Sequence, residues 1–414
     1  MIDKNLFLYD LAVVAILKDE GHYLKEWLDY HLLAGVEHFY LYNNDSSDDY
    51  AEIIAPYVKN NLVTSTNIPG KLALLPAYND AVKRFKFQCR YMAFIDLDEF
   101  IYPKTSLNIV EVVDEILSRD PNAKGLSIHW QEFGSNGQDK TDYSRGVLER
   151  FTRRARKDFH GQFTDSNGYK HYLGNAHLKI ISNPRYIKQP DAHYAIYFEE
   201  FHTIDERGVV LPSANLVLPI TADKIAINHY RCKSKEEFVD KLRRGSATNY
   251  PINEELFAHF DNNDEFDDGI LKYIANRAEN FSLKSDEQRF NRVITALMET
   301  LAAYASDEIF DLETALTCLA LSTYLRKKTS DNNFKIYEEA SLAAVLKSVE
   351  GASFAEGQLF IRELPKILRL PYPAVKEIRL VAAQIISQFM DEAKNKSNWT
   401  KFFEWDYVRE FLKE

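Results

Sequence analysis

Two carboxylates separated by one residue, Asp96 and Asp98, follow the apolar run YMAFI. In an extended segment side chains alternate, so both carboxylates are predicted to lie on the same side. Carboxylates held so close repel each other unless one is protonated or a cation lies between them. A hard divalent ion that also binds diphosphate oxygens would remove this repulsion. The segment therefore predicts a metal-diphosphate site, and the alternative is an acidic strand end that faces solvent.

A histidine ends a second apolar run, KIAINHY, at His229. A neutral imidazole is a common ligand of divalent metals, so His229 could complete a metal site with the two carboxylates. The alternative is a hydrogen-bonded structural histidine, because the chain contains 11 histidines.

The elements that would position these side chains alternate between strand and helix. LAVVAIL (11–17) is typical of a strand buried on both faces, and apolar residues then recur at helical spacing until Gly35, a predicted C′ glycine. Further strands are predicted at 36–42, 62–64 and 91–96, and further helices at 50–59 and 72–88. This alternation indicates an α/β domain with a mainly parallel sheet, and ligands bind at the carboxyl ends of such strands.

The rest of the chain has a different character. Short β-like runs occupy 125–230, and 234–245 begins with a capping box. The acidic stretch 261–268 lacks the glycine and final glutamate of a calcium loop, so a solvated connection is favoured. From 285 the pattern is helical, and the aromatic segment 398–414 is predicted to be a helix that packs on this bundle or docks to a partner or membrane surface.

Composition limits the class of protein. The chain has 414 residues, 62 acidic and 51 basic, with a net charge of −11, which argues against nucleic acid as the main partner. Three distant cysteines predict no disulfide framework and a reducing compartment. The N-terminus lacks a signal-peptide pattern, and no apolar run reaches the roughly 20 residues of a membrane span. We expect a cytoplasmic protein with at most peripheral contact to the inner face of a membrane.

Four blocks in the same order resemble the family 92 and related family 2-like glycosyltransferases of the GT-A fold. They are AILKDEGHYLKEWLDYHLLAGVEHFYLYNNDSSDD, YMAFIDLDEFI, HWQEFGSNG and INHYRCKSKEEFVDKLRRG, within residues 11–245. The resemblance implies a Rossmann-like nucleotide-sugar-binding domain and sugar transfer with inversion from a nucleotide-sugar, with a UDP-sugar as the expected donor and Mn²⁺ or Mg²⁺ as cofactor.

The resemblance also assigns roles to residues. Asp96 and Asp98 match the metal-diphosphate and ribose motif, and His229 matches the histidine of the metal site. The block W-x-x-F-G near the sugar and acceptor is matched by Trp130, Phe133 and Gly134. The residues expected to hold the nucleoside at strand ends are Lys18, Glu20, Asn44, Asp45 and Asn79, together with Asp96.

An inverting transfer needs a group that takes a proton from the acceptor hydroxyl. No motif identifies it. The candidates are Glu132 in the W-x-x-F-G block, the pair Glu199 and Glu200, and Asp191. His193 could instead contact phosphate or be an ordinary loop histidine.

Two basic clusters have two interpretations each. Residues 150–157 could bind a diphosphate or an anionic acceptor through Arg150, Arg153, Arg154, Arg156 and Lys157, or could form ion pairs with nearby acids. A second set could close over the diphosphate as a lid or could line a solvated helix face; it contains Lys233, Lys235, Lys241, Arg243 and Arg244.

We therefore predict a GT-A-like domain over 1–284 and a helical domain over 285–414 that docks a partner, a second subunit or a membrane surface. The expected reaction moves a sugar to a glycan or lipid-linked acceptor in bacterial surface polysaccharide assembly. The alternatives are a metal-dependent nucleotide-sugar hydrolase or nucleotidyltransferase, and a non-catalytic glycan-binding or scaffold module.

Overall fold

The computed structural model describes residues 2–245, 251–275, 286–305, 311–329, 334–349 and 352–395. The chain divides into two units. The α/β unit comprises Tyr9–Tyr197 and Phe201–Lys284, and the helical unit comprises Met1–Leu8, Phe198–Glu200 and Ser285–Glu414. The predicted helix at 398–414 lies outside the described residues.

One large sheet and three two-stranded ribbons supply the strands of the α/β unit within its described residues. The strands are β1 (Tyr9–Leu17), β2 (His38–Asn43), β3 (Val63–Asn67), β4 (Cys89–Phe94), β5 (Glu99–Pro103), β6 (Ala123–Glu132), β7 (Arg153–Arg154), β8 (His160–Thr164), β9 (Lys170–Gly174), β10 (Leu178–Ser182), β11 (Ile187–Pro190), β12 (Ala195–Tyr197), β13 (His202–Ile204), β14 (Val210–Leu211), β15 (Ile225–His229) and β16 (Glu265–Phe266).

Helices of the α/β unit connect these strands or follow them. They are α1 (Gly21–Leu33), α2 (Tyr50–Lys59), α3 (Leu74–Phe85), α4 (Ile109–Leu117), α5 (Val147–Arg150), α6 (Lys235–Arg244), α7 (Glu255–Phe260) and α8 (Lys272–Ala275), with 3₁₀ turns at Pro184–Tyr186 and Gly269–Leu271.

The first half of the large sheet is the parallel arrangement that the sequence predicts. Its strand order is β3-β2-β1-β4, and each neighbouring pair is parallel. The second half is mixed rather than parallel, because β10 lies antiparallel between β4 and β6. Beyond β6, strand β15 runs parallel to β6 and antiparallel to β5. The carboxyl ends of β1, β4 and β15 therefore come near one edge of the sheet.

Local sequence explains β1 and α1. Strand β1 is central and almost wholly buried, as its unbroken apolar run requires. Helix α1 ends in the glycine cap that the sequence predicts: Gly35 has a φ of +102°, and its N–H donates to the carbonyl of Leu32 at 3.2 Å. Only glycine fits there comfortably, since a Cβ would also lie 2.7 Å from the amide of Asn108.

Helix α1 holds the segment that follows β4. The indole N–H of Trp27 donates to the carbonyl of Glu99 at 2.8 Å, and the hydroxyl of Tyr30 donates to the carbonyl of Ile101 at 2.7 Å. These bonds fix the start of β5. They thereby position the turn between β4 and β5, which contains Asp96 and Asp98.

The helical unit contains α9 (Asp286–Ala305), α10 (Leu312–Thr329), α11 (Phe334–Val349), α12 (Phe354–Ile367) and α13 (Val375–Asn395), after a 3₁₀ turn at Lys4–Leu6. Buried Glu338 of α11 accepts a hydrogen bond from Arg326 of α10 at 2.8 Å and another from the hydroxyl of Tyr372. No helix among the described residues combines the length and apolar character needed to cross a bilayer. All three cysteines are free and buried, so the prediction of no disulfide is confirmed.

Candidate active site

A cavity of about 670 Å³ opens in the α/β unit beside the carboxyl ends of β1, β4 and β15. Aromatic and aliphatic side chains form part of its wall, including Trp130 and Phe260. Its charged wall residues are cationic Lys18, Lys179, Arg231, Lys241 and Arg244 and anionic Glu20, Asp96, Asp98 and Asp191. A concave, partly apolar site with a few convergent charges is the usual form of a small-molecule pocket.

Asp96 and Asp98 both line this cavity but do not face the same partners. The segment is a turn, in which the N–H of Glu99 donates to the carbonyl of Asp96 at 3.1 Å, so the predicted extended alternation is wrong. The Asp96 side chain is 41% exposed and that of Asp98 is 6% exposed. The turn therefore separates the two carboxylates, so that Asp96 pairs with Lys179 and Asp98 pairs with Lys241.

Asp98 lies between an imidazole and an ammonium group. Its Oδ1 is 3.5 Å from Nε2 of His229, and its Oδ2 is 2.5 Å from Nζ of Lys241. Burial alone would raise the pKa of Asp98, but Lys241 and His229 hold it well below its ordinary value. Burial lowers the pKa of His229 to about 3 against the opposing charge of Asp98. Asp98 is accordingly a carboxylate beside a neutral imidazole.

Asp98 and His229 are the two predicted metal ligands that the fold brings close together. Oδ1 of Asp98 and Nε2 of His229 are 3.5 Å apart, and an anionic oxygen with a neutral imidazole suits Mn²⁺ or Mg²⁺. Across the described part of the chain, no three His, Cys, Asp or Glu side chains come together around one point. Two protein ligands fit a magnesium-like ion that takes its other ligands from water and substrate phosphates. Asp96 is not placed with them.

Asp96 belongs to a second group around Lys179. The Lys179 ammonium, 1% exposed, is 2.8 Å from Oδ2 of Asp96 and 3.2 Å from Oε2 of Glu99. Burial raises the pKa of Glu99 to about 8, and the charges of Asp96 and Asp98 add to this effect although Lys179 opposes it. The pKa of Lys179 is raised despite burial, because Asp96 and Glu99 surround it. Lys179 therefore remains a cation on the cavity wall.

The residues predicted to hold a nucleoside separate into two sets. Lys18 and Glu20 line the cavity, and Glu20 accepts a hydrogen bond from Arg244 at 2.5 Å. Asn44 is buried and donates to the carbonyls of Ile68 and Gly70, at 2.9 and 2.8 Å. Asp45 accepts from the N–H of Gly70, and Asn79 is exposed on α3 and donates to the carbonyl of Leu75. These last three side chains make contacts within the fold and do not line the cavity.

The predicted proton acceptors also differ in position. Asp191 lines the cavity. Glu132 is 1% exposed, its Oε1 is 3.5 Å from Nη1 of Arg231, and burial raises its pKa against that cation. Glu199 and Glu200 are exposed and group with the helical unit. Asp191 is thus the candidate carboxylate that the fold brings to the cavity.

The W-x-x-F-G block forms part of the cavity wall and its support. Trp130 lines the cavity, and Phe133 is buried behind it, where it packs against Tyr230 with ring centroids 4.6 Å apart. Gly134 allows a close approach of the acidic stretch 261–268, because a Cβ there would lie 2.5 Å from the carbonyl oxygen of Asn262. One side of the acidic stretch therefore packs on this block, while Asp264, Phe266 and Asp268 are exposed, as a solvated connection predicts.

The basic cluster at 150–157 forms ion pairs, as one of its two interpretations predicted. Arg150 pairs with Glu237, Arg154 with Glu265 and Asp267, and Lys157 with Asp223. None of the five cationic residues of this cluster lines the cavity. Arg150, Arg154 and Lys157 are thus paired with carboxylates, Arg153 and Arg156 are exposed, and none of the five is placed to bind an anion in this cavity.

Four of the five residues in the second basic set lie on α6, where they point in different directions. The capping box predicted for this helix is confirmed, with Ser234 and Glu237 exchanging hydrogen bonds. Lys241 and Arg244 point into the cavity, while Lys235 and Arg243 are exposed. Lys233 is buried, with Nζ 4.2 Å from the centroid of the Tyr23 ring, and burial lowers its pKa to about 8 although Asp98 opposes this.

Three basic wall residues escaped the sequence reasoning: His177, Lys179 and Arg231. Lys179 did carry a signal, since a lysine inside the apolar run HLKIIS needs a buried counterion. Arg231 directly follows the predicted ligand His229. His177 had no signal that distinguished it from a structural histidine.

Comparison with known proteins gives a family. The family model described as glycosyltransferase family 92 matches residues 14–291. A glycosyltransferase family 92 protein of Ricinus communis is 25% identical over 243 residues, which cover 58% of this chain and 38% of that protein. Another from Oryza sativa subsp. japonica is 25% identical over 241 residues, 58% of this chain and 36% of that protein. The chain thus spans less than two fifths of the length of these curated relatives.

Solved structures give a more distant likeness. The crystal structure of S. aureus TarS 1–349 matches with a TM-score of 0.29 and 15% identity, over 83% of this chain and 93% of that one. The same protein in complex with UDP matches with a TM-score of 0.31 and 14% identity, over 83% and 93% of the two chains.

Proposed function

This chain belongs to glycosyltransferase family 92, and from that premise we propose that its cavity binds a nucleotide-sugar and transfers the sugar to an acceptor hydroxyl. The observation that carries the proposal is the position of Asp98. It lies at the carboxyl edge of the sheet with His229 and Lys241 on either side, and cationic Lys18, Arg231 and Arg244 line the same cavity. This arrangement suits a ligand with a diphosphate and a polar, uncharged sugar.

We propose a UDP-sugar as the donor and inversion at the anomeric carbon, as the family resemblance implies. The departing diphosphate gains negative charge while the anomeric carbon becomes positive. Lys241 and Arg244 extend from one helix into the cavity, so they can bind diphosphate oxygens and stabilise that charge. Glu20 orients the Arg244 guanidinium through their 2.5 Å hydrogen bond. Trp130 offers an apolar surface on which a sugar ring can lie.

We also propose that Asp98 and His229 hold a divalent cation, Mn²⁺ or Mg²⁺. When bound, such an ion would supply Lewis-acid stabilisation of the leaving diphosphate. Without ligand, the Lys241 ammonium neutralises Asp98 at 2.5 Å. Asp96, which faces Lys179, helps to position that buried cation and is not proposed as a ligand.

The proposed acceptor is a hydroxyl of a glycan or a lipid-linked glycan. The relatives reported above are plant proteins, so they give no support to the bacterial surface-polysaccharide role expected from the sequence. The two alternative functions, hydrolysis of a nucleotide-sugar and sugar binding without transfer, would use the same cavity. Measurements of nucleotide binding and of UDP release distinguish them from transfer.

Thermal unfolding with UDP, GDP or CMP, each with Mn²⁺ or with EDTA, tests the proposal. A nucleotide at 100 times its dissociation constant should stabilise the protein by about 2.7 kcal/mol. We expect UDP with Mn²⁺ to stabilise the wild type and the control Asp240→Asn, but not Asp98→Asn. Asp240 is a suitable control because it lies on the exposed face of α6, paired with Arg243.

Each other outcome is informative. Equal stabilisation by UDP with Mn²⁺ and with EDTA would contradict the proposed metal site. The cationic residues would then bind the diphosphate without a metal ion. If none of the nucleotides stabilises the protein, the result would contradict the proposed transferase activity and favour the alternative of a non-catalytic scaffold module. UDP release from a UDP-sugar at the same rate with and without acceptor glycosides would indicate a hydrolase.

A further inference from the structure

Two imidazoles on the cavity wall, those of His177 and His193, each have one nitrogen fixed by the backbone. Nδ1 of His177 is 2.9 Å from the carbonyl of Gly174, and Nδ1 of His193 is 2.9 Å from the carbonyl of Leu178. A carbonyl oxygen only accepts, so Nδ1 carries the hydrogen in each ring. Nε2 of each neutral ring therefore holds a lone pair, and within the described residues no hydrogen bond ends on either Nε2 atom.

Packing around Trp130 holds these rings in place. His177 stacks on the indole with centroids 4.4 Å apart, and His193 meets it edge-on at 5.5 Å. The guanidinium of Arg231 lies 4.9 Å from the indole centroid. The indole N–H of Trp130 and Nδ1 of His229 are buried and lack a partner among the described residues. Buried polar atoms normally have a hydrogen-bond partner. The unpartnered atoms of this wall can therefore form hydrogen bonds with a polar ligand.

Sugar transfer requires a group that takes the proton of the acceptor hydroxyl. Few of the carboxylates predicted for this role lie at the cavity. Glu132 is enclosed beside Arg231, and Glu199 and Glu200 group with the helical unit. Asp191, Ala192 and His193 are consecutive, and all three line the cavity. The Asp191 carboxylate already accepts the N–H of Ala192 at 2.7 Å through Oδ1. The Nε2 lone pair of His193 has no such competing bond.

Resting on the proposed function, we propose that Nε2 of His193 is the general base that removes the proton of the acceptor hydroxyl. As the acceptor oxygen forms its bond to the anomeric carbon, the bond from that carbon to the diphosphate oxygen breaks. The diphosphate leaves with the electron pair, and the proton passes to Nε2. Water then takes this proton from the imidazolium, which restores the neutral ring.

The surroundings keep the ring unprotonated before the donor binds. Burial, with the charges of Lys179 and Arg231 and the nearby His229, lowers the pKa of His193 to about 3. The ring is therefore neutral at physiological pH. A bound diphosphate would offset the two cations, so the basicity of His193 should rise once the donor is in place.

The test uses two matched substitutions in the full chain. His193→Asn keeps an amide that can donate to the Leu178 carbonyl but lacks Nε2, and His177→Asn makes the same change at the Gly174 carbonyl. UDP affinity is measured by calorimetry. Turnover is measured as UDP release from UDP-glucose, UDP-galactose or UDP-N-acetylglucosamine, with methyl glycosides as acceptors.

We expect His193→Asn to bind UDP within about threefold of the wild type and to release UDP about 10²–10⁴-fold more slowly. His177→Asn should lose less than about tenfold of this rate. If His193→Asn unfolds, His193→Gln, which places its amide near the Nε2 position, replaces it with the same expected result.

Three outcomes would overturn this assignment. Turnover of His193→Asn within about tenfold of the wild type excludes His193 as the base. A loss of the same size in His177→Asn assigns a shared role in binding or packing instead. A large loss confined to Asp191→Asn gives the role to that carboxylate. In contrast, a wild type that neither binds UDP nor releases it from any donor contradicts the proposed function itself.

Discussion

Arg150 and Glu237 face each other in a bidentate ion pair that fixes the start of α6. The guanidinium Nη1 and Nη2 donate to Oε2 and Oε1 of Glu237 at 2.9 and 2.8 Å, and both side chains are almost completely buried. Tyr23 also donates its hydroxyl to Glu237 at 2.9 Å. Since α6 carries Lys241 and Arg244 into the cavity, this pair connects the stability of the fold to the geometry of the site.

Removing one partner of the pair should be costly. Glu237→Gln leaves the Arg150 guanidinium buried without its counterion, so we expect a loss of about 3–5 kcal/mol in the free energy of unfolding. Glu236→Gln is the matched control, because the neighbouring Glu236 is half exposed and pairs with exposed Lys140. Its cost should stay below about 1 kcal/mol in urea unfolding. Equal costs for the two variants would contradict a structural role for the buried pair.

Lys241 should contribute to donor binding more than its exposed neighbour on α6. In Lys241→Met, the cavity loses an ammonium that can bind phosphate oxygens, and Asp98 loses the cation 2.5 Å away. A charge-assisted hydrogen bond contributes about 1.5–3 kcal/mol, so UDP affinity should fall by about 10- to 150-fold. Arg243→Met, which removes a side chain 75% exposed, should change it less than about twofold. Calorimetric titration with UDP measures both, and equal affinities would exclude Lys241 from the binding site.

Gly134 should not tolerate a side chain. In Gly134→Ala the new Cβ would lie 2.5 Å from the carbonyl oxygen of Asn262 and from Oδ1 of Asn263. A backbone atom cannot move away easily, so we expect a destabilisation of about 1–3 kcal/mol. Gly161→Ala is the control, because no atom lies within 4 Å of the added Cβ. Thermal unfolding of both variants checks this, and a neutral Gly134→Ala would show that the approach is looser than described.

His31 should make stability depend on pH. Its Nδ1 donates to the carbonyl of Trp27 at 2.8 Å, and its Nε2 accepts the N–H of Ile101 at 3.2 Å, so the buried ring is held neutral. Burial lowers its pKa to about 3 in the folded protein, from the ordinary value of 6.5. Because the unfolded chain takes up a proton first, the contribution of His31 is fully present above pH 6.5 and is lost as the pH falls towards 3.

The expected slope is up to about 1.4 kcal/mol per pH unit below pH 6.5. His31→Gln cannot be protonated, so its unfolding free energy should fall less steeply over this range than that of the wild type. Urea unfolding at pH 7.5, 6.5 and 5.5 gives the comparison. Parallel pH dependences of the two proteins would contradict the role of His31.

Much of the α/β architecture could be read from local pattern. The apolar run of β1, the helical spacing of α1 and the glycine cap at Gly35 each depend on neighbours a few residues away, so their signals lie within short windows. The capping box at Ser234 and Glu237 is of the same kind. The antiparallel insertion of β10 could not be foreseen, because strand order depends on pairings between segments distant in the chain.

The site was predicted only in part for the same reason. Residue type and strand ends identified Asp96, Asp98 and His229, but the turn after β4 sends the two carboxylates to different partners. Asn44, Asp45 and Asn79 have suitable side chains, yet the fold uses them in local hydrogen bonds. Sequence position at a strand end therefore did not determine which way a side chain points.

The sequence by itself determined the alternation of strands and helices, the acidic turn after β4 and the family resemblance, since each is encoded in short contiguous patterns. Tertiary structure alone decided the electrostatics of the cavity. It placed Lys179 against Asp96, 83 residues away, and Lys241 against Asp98, 143 residues away. Charges act through space and not along the chain. The ion-pair partner of each carboxylate, and the histidine nitrogen that remains without a hydrogen bond, therefore depend on how these distant elements pack together.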